Sequence, residues 1–169
     1  MKNFFLAICI FAATSILAQH NTESIYILVR HAEKDTSQAG STMMQADPSL
    51  TKQGLLRAEK LITVLKKYSI DSIFSTNFIR TISTASPIAK KLGLEINTYD
   101  HKKLQNFATQ ILSASGKTIL VIGHSNTTPT LANLLIKEKK YEPLDESVYN
   151  KIVIVTIKNG KAISEIIEY

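Results

Sequence analysis

Two apolar runs in this chain each end in a histidine, and the residues around those histidines suit phosphate chemistry. Ile25-Tyr26-Ile27-Leu28-Val29 is followed by Arg30-His31-Ala32-Glu33-Lys34, and Thr118-Ile119-Leu120-Val121-Ile122 is followed by Gly123-His124-Ser125-Asn126-Thr127. Both runs are short, apolar and rich in strand formers, as buried strands are. Ligands of open α/β sheets gather beyond the carboxyl ends of the strands, so both histidines fall where a ligand would bind. A lone histidine is more often structural than catalytic. Two at one edge, the first preceded by an arginine, form a constellation. Arg80 joins them, because it falls in the first turns of a helix that begins just past a strand ending at Phe74-Ser75.

Guanidinium forks match phosphate oxygens in pairs and stay charged at any working pH. A neutral imidazole is a competent nucleophile, and nearby arginines disfavour its cationic form. The second histidine can donate to the equatorial oxygens as charge redistributes. A helix beginning near Asn126 to Pro129 adds backbone N–H groups, at Ser125 and Asn126, and the positive end of its dipole. Arg30, His31, Arg80 and His124 therefore read as one phosphate-handling site, with His31 as the attacking group.

The elements that must position these residues alternate. Thr51 to Tyr68 carries Leu55, Leu56, Ala58, Leu61, Ile62 and Leu65 at helical spacing, with Thr51 placed to cap it. Ser72 to Phe74 predicts a short strand, Phe78 to Leu92 a helix stopped by Gly93, Leu94 to Thr98 a strand, and Leu104 to Ser113 a helix. After the second histidine, Thr128 to Ile136 is helical. Lys151 to Ile157 and Ala162 to Ile167 form a hairpin turning at Asn159-Gly160. The expectation is an α/β fold: a three-layer α/β/α sandwich with a mostly parallel central sheet. Thr36 to Asp47 lacks periodicity and reads as a loop.

The chain has 169 residues, 44% hydrophobic and 20% charged, a composition that excludes disordered and fibrous classes. Met1-Lys2-Asn3 followed by the apolar run Phe4 to Leu17 reads as a secretory signal peptide over residues 1–19, cleaved after Ala18 or Gln19. Residues 20–169 then form a single domain. About 14 apolar residues fall short of the roughly 20 that span a bilayer, so no stable membrane anchor is expected. Cleavage takes away Lys2, lowering the net charge from +6 to +5, and the sole cysteine, Cys9. Cysteine catalysis and disulfides are thereby excluded, as suits a periplasmic or secreted protein. The lysines are scattered in pairs without interleaved aromatics, which argues against nucleic-acid binding.

Together with Ser75-Thr76-Asn77-Phe78-Ile79-Arg80-Thr81 and Asp47-Pro48-Ser49-Leu50-Thr51-Lys52-Gln53-Gly54, the two histidine motifs resemble the histidine phosphatase superfamily, with its phosphoglycerate-mutase-like fold. The resemblance covers residues 25 to 157. It implies that His31 is the phosphorylated nucleophile, that Arg30, Arg80 and His124 complete the phosphate pocket, and that no metal or other cofactor is needed. The chain departs from the family pattern in three places. Ala32 stands where Gly is commoner, only 44 residues separate Arg80 from His124, and Leu104-Gln105-Asn106 has no carboxylate where larger relatives place an acid. The short layout is similar to that of small bacterial phosphohistidine phosphatases. The Arg-His-Ala-Glu start is similar to periplasmic phosphatases of envelope sugar phosphates.

Glu33 and Asp100 are the nearest carboxylates that could protonate a leaving group or line the pocket. The plain readings are an exposed Glu33–Lys34 ion pair and a solvated Asp100. Ser125 and Asn126 would be helix caps that meet phosphate through their backbone, and Ser75 a strand-end residue. His20 and His101 read as surface residues, and Met43-Met44 as part of a loose loop. Asp145, Glu146 and Tyr149 receive no role. The expected activity is hydrolysis of phosphate monoesters or phosphohistidine, on a phosphorylated small molecule or phosphoprotein. Three alternatives remain: a phosphomutase, which would need a lid against water; a phospho-ligand binder without turnover; and a metal-dependent hydrolase using His31, Glu33 and His124.

Overall fold

The computed structural model describes residues 22–37 and 47–169. The expected signal peptide, Cys9, His20 and Met43-Met44 lie outside the described residues. Six strands form one sheet in the order β3-β2-β4-β1-β5-β6. In chain order the elements are β1 (Glu23–Arg30), α1 (Lys52–Val64), β2 (Ser72–Thr76), α2 (Ile79–Leu92), β3 (Ile96–Tyr99), α3 (Leu104–Ser113), β4 (Thr118–Gly123), α4 (Thr127–Ile136), β5 (Lys151–Lys158) and β6 (Lys161–Glu168). The pairings β3–β2, β2–β4 and β4–β1 are parallel, and β5 and β6 add an antiparallel flank.

Alternation along the strands makes the three layers. On one face Tyr26, Leu28, Ile119, Val121, Val153 and Val155 pack under Phe107, Ile111, Leu131 and Leu135 of α3 and α4. On the other, Ile27, Val29, Leu120, Ile122, Ile152 and Ile154 meet Leu61 of α1 and Ala85, Ile88 and Ala89 of α2. A strand buried on both faces reads as an unbroken apolar run, which is why β1 and β4 are conspicuous in the sequence. Among the described residues no helix is long and apolar enough to cross a membrane.

Several boundaries shift by one to four residues from the sequence reading, two of them for reasons the backbone bonds show. α1 ends at Val64, because the bonds beyond it tighten to three-residue spacing (Tyr68 N–H to the Leu65 carbonyl, 3.0 Å), a common way for a last turn to satisfy its carbonyls. β3 begins at Ile96. Gly93, at φ 67°, starts the exit from α2, and the Leu94 N–H still reaches back to the Ala89 carbonyl at 3.0 Å. The hairpin turns where expected, with Asn159 and Gly160 both at positive φ, as a two-residue turn between twisted strands requires.

The segment after β1 is held to the start of α1. Thr51 caps that helix, accepting from the Gly54 N–H at 3.0 Å, while its own N–H donates to the Glu33 carbonyl at 2.8 Å. Gly54 is required here by space. A Cβ at this position would collide with the Glu33 carbonyl oxygen and lie 3.1 Å from the Glu33 nitrogen. Backbone cannot rotate away as a side chain can, so Gly54→Ala is expected to destabilise the protein by about 2 kcal/mol. A thermal melt unchanged from the parent would refute this.

Candidate active site

β1 and β4 run parallel with Arg30 opposite Gly123, so their ends deliver His31 and His124 side by side. The His31 N–H bonds to the Gly123 carbonyl at 2.9 Å, and the two imidazole rings meet edge-on with centroids 5.5 Å apart. Gly123 sits in a tight place: a Cβ there would lie 2.8 Å from Thr127 Oγ1 and 2.9 Å from the Tyr99 hydroxyl. α2 starts immediately after the β2 edge, which brings the Arg80 Nη2 to 3.4 Å from His124 Nδ1. The four residues expected to share a site are therefore gathered at one sheet edge.

The hydrogen bonds fix which nitrogen of each ring carries the proton. His31 Nδ1 lies 2.8 Å from the Ala32 carbonyl, which can only accept. In the neutral ring Nδ1 is then the donor, and Nε2 holds the free lone pair. Arg80 can only donate, so His124 Nδ1 accepts and its Nε2 donates to Thr76 Oγ1 at 3.0 Å. Thr76 Oγ1 continues to Thr81 Oγ1 at 3.0 Å, which donates to the Thr76 carbonyl at 2.8 Å. His31 thus keeps one lone pair free, and His124 is locked in place by a hydroxyl chain that uses its N–H, so it is not free to donate to a phosphate oxygen as the sequence suggests.

Burial pushes the His31 imidazole down from 6.5 to about 3, with the charges of Arg30, Arg80 and Lys34 adding to it against the opposing Ala32 bond. Burial likewise lowers His124 to about 3, helped by Arg80. Both rings are therefore neutral near pH 7. An unfolded histidine titrates near 6.5, so below that pH the unfolded chain takes up protons that the folded rings refuse. Stability is full above about pH 6.5 and falls as pH drops towards 3. Calorimetric melts between pH 7 and 4.5 should show this loss, reduced in a His31→Ala/His124→Gln double variant. Equal pH slopes in the two proteins would overturn the assignment.

Arg30 is 1% exposed, and its guanidinium holds a distant loop. Nη1 donates to the carbonyls of Asp145 (2.8 Å), Glu146 (3.2 Å) and Val148 (2.9 Å), and Nη2 to Glu146 Oε2 (2.9 Å). Its plane lies 4.2 Å from the centroid of the Tyr149 ring, which is 6.0 Å from that of His31. Arg30 Nε is buried without a hydrogen-bond partner. The Glu146 carboxylate also accepts from Ser125 Oγ at 2.7 Å and lies 3.5 Å from Lys34 Nζ. The Ser125 bond, with Arg30 and Lys34 beside it, lowers the Glu146 pKa. Asp47 plays the corresponding part for Arg80, 3.4 Å from Nη1, while accepting from the Ile79 N–H at the start of α2 at 2.8 Å.

Several sequence expectations change here. Both Glu33 oxygens are taken by Arg57 (2.8 and 2.9 Å from Nε), which also reaches the Tyr169 carbonyl, so Glu33 ties down the chain end and makes no pair with Lys34. Asp100 caps the 3₁₀ turn His101–Lys103, accepting from the Lys102 N–H at 2.9 Å. Asn126 makes no side-chain cap bond, and the Ser125 hydroxyl goes to Glu146. Ser75 bonds the adjacent Thr76 carbonyl. His101, read as a surface residue, stands 5.7 Å from the His124 ring and 5.5 Å from that of Phe78. Glu146 and Tyr149 were missed altogether, since they lie more than 110 residues from Arg30 with no local pattern. Among the described residues no group of three or more His, Cys, Asp or Glu is placed to hold a metal, and Glu33 does not join His31 and His124.

The family model for the histidine phosphatase superfamily (branch 1) matches residues 26–103, from β1 through the turn after β3. Over the whole fold, the alpha-ribazole phosphatase of Shigella flexneri superposes with a TM-score of 0.69 at 15% identity, covering 86% of this chain and 96% of that one. Residues 26–103 thus match the histidine phosphatase superfamily, and the fold as a whole is that of the phosphatases on which it superposes. The phosphoserine phosphatase of Entamoeba histolytica, solved with 3-phosphoglyceric acid, has the same fold (TM-score 0.64, 17% identity, 86% and 98% covered). By sequence, Phosphoserine phosphatase 1 of Hydrogenobacter thermophilus is 37% identical over 70 residues, 41% of this chain. That match spans 33% of the relative's own length.

Proposed function

We propose that this protein hydrolyses phosphate monoesters through a phosphohistidine at His31. The observation that carries the reading is the free Nε2 lone pair of a neutral, buried His31, set beside Arg30, Arg80 and His124. The lone pair attacks phosphorus and the bond to the leaving oxygen breaks, giving an N-phosphoryl ring whose Nδ1–H still rests on the Ala32 carbonyl. Arg80 and the unpartnered Nε–H of Arg30 meet the negative oxygens of the transferring group. A buried guanidinium N–H without an acceptor is costly, and an anionic oxygen satisfies it. Water then attacks phosphorus, the N–P bond breaks, and Nε2 regains its lone pair as phosphate and a proton leave.

The substrate class this supports is a phosphorylated small molecule or phosphoprotein, the kind of compound named for its structural relatives. The expected result is turnover of a generic aryl phosphate in the presence of a chelator, with a quenched intermediate whose label is stable in base, labile in acid, and located at His31. Binding of phosphate without any such label would favour a non-catalytic binder, and loss of activity with chelator a metal enzyme. Export is a separate proposal, supported by the apolar run Phe4 to Leu17 behind Lys2. It predicts that the mature protein starts at Gln19 or His20 on amino-terminal sequencing.

A further inference from the structure

A cavity of about 390 Å³ opens at the carboxyl ends of β2 and β3, walled by Asn77, Phe78, Thr98, Tyr99, Asp100 and His101. Two of its walls also belong to the phosphate site. The Phe78 ring meets His124 edge-on at 5.2 Å and 88°, and the Arg80 guanidinium lies 4.4 Å from its centroid. His101 stands 5.7 Å from His124, and its ring is tilted 58° to Phe78 at 5.5 Å. The two rings make adjoining faces of a corner, so a planar group can stack on one and present its edge to the other. On the opposite side, the Arg30 end of the site is taken up by the Glu146 carboxylate and Tyr149. A substituent on a phosphate held by Arg80 beside the His124 ring therefore leaves towards Phe78 and His101.

A second observation points the same way. The carboxylates around the site are all engaged: Glu33 with Arg57, Asp47 with the Ile79 N–H and Arg80, Asp100 with the Lys102 N–H, and Glu146 with Arg30 and Ser125. A leaving oxygen that needs full protonation, as an alkanol's does, finds no unengaged carboxylic acid there among the described residues. A phenol, with a pKa near 10, leaves as its anion far more easily.

We propose that this cavity is the leaving-group subsite and that it selects a phosphorylated phenol, a planar aromatic ring esterified to phosphate. The inference rests on the hydrolase reading. In the first step the aryl O–P bond breaks with its electron pair on the phenolic oxygen, which takes a proton from water, as the His31 Nε2–P bond forms.

The test separates ring recognition from leaving-group chemistry by using phosphonates, whose carbon–phosphorus bond is not cleaved. Calorimetric titration of the full chain should show benzylphosphonate binding about 10-fold tighter than n-butylphosphonate, the size expected of one aromatic contact plus ring burial. The ratio should fall to within about two-fold both in Phe78→Leu, which removes a wall, and in Thr98→Trp, which fills the cavity. Inorganic phosphate titrated alongside reports the phosphate pocket in each variant. Equal affinities in the parent protein, or a ratio that survives both substitutions, would overturn the proposal. Because calorimetry needs no turnover, tight benzylphosphonate binding in a chain that forms no phosphohistidine would instead sink the hydrolase reading alone.

Discussion

A His31→Ala variant is expected to lose turnover of an aryl phosphate by on the order of ten-thousand-fold or more, while still folding and still binding inorganic phosphate. The loss follows from the tautomer. Of the two facing imidazoles only that of His31 has a lone pair free, because His124 Nδ1 accepts from Arg80 and its Nε2 donates to Thr76. Removing an attacking group from a constellation that acts as a unit costs nearly the whole of its contribution. Folding survives because the ring's hydrogen bond is the one to the neighbouring Ala32 carbonyl, and the backbone N–H still reaches Gly123. Phosphate binding survives because the arginines remain. Stopped assays, phosphate titration and a thermal melt check the three parts separately. Parent-like turnover would remove His31 from the mechanism. A small rate restored by free imidazole would confirm that only the nucleophile is missing.

What could be read from the sequence divides by distance along the chain. β1 and β4 announce themselves because both faces of each strand are buried, and each hands its histidine to the same edge because the two run parallel. Arg80 follows from the short step between β2 and α2. These are local facts plus one rule about open sheets. The partners of those residues were not legible. Arg30 meets Glu146 and Tyr149 only because β5 pairs antiparallel to β1, so that the loop before β5 arrives beside the end of β1. Nothing in the spacing of Asp145-Glu146-Ser147 shows this. His101 and Phe78 come together because β3 lies next to β2 in register, Thr76 opposite Tyr99, and each ring follows its strand's last residues. Glu33 could have been placed by its neighbour in sequence, Lys34, but Arg57 on α1 wins it with a bidentate grip. Sequence pattern carries the skeleton of the site; side chains brought in by tertiary pairing decide which of its charges are free.

Arg30→Lys and Arg30→Met are both expected to fail, and to fail in stability as well as in chemistry. The guanidinium joins two tasks that a point charge cannot share. Its Nη1 gathers the carbonyls of Asp145, Glu146 and Val148, and its face carries Tyr149, so it fixes the loop that leads into β5. Its Nε has no protein partner, and in the proposed mechanism it donates to a phosphate oxygen. Lysine has three donors on one nitrogen at the end of a flexible stem, so it can serve the carbonyls or the phosphate but not both in this geometry. Methionine fills much of the volume but leaves Glu146 without its buried cation and the three carbonyls without their donor. Breaking such a network costs about 3 kcal/mol, and losing a preorganised donor to the transferring group costs about 100- to 1,000-fold in rate. Thermal melts should therefore drop for both variants, with kcat/KM falling by at least 100-fold in Arg30→Lys even at temperatures where it is folded. If Arg30→Lys keeps near-parent kcat/KM, the fork geometry is irrelevant and Arg30 contributes only charge. If Arg30→Met melts with the parent, the loop before β5 is held by its own contacts, such as the Leu144 N–H to the Ser125 carbonyl at 2.9 Å.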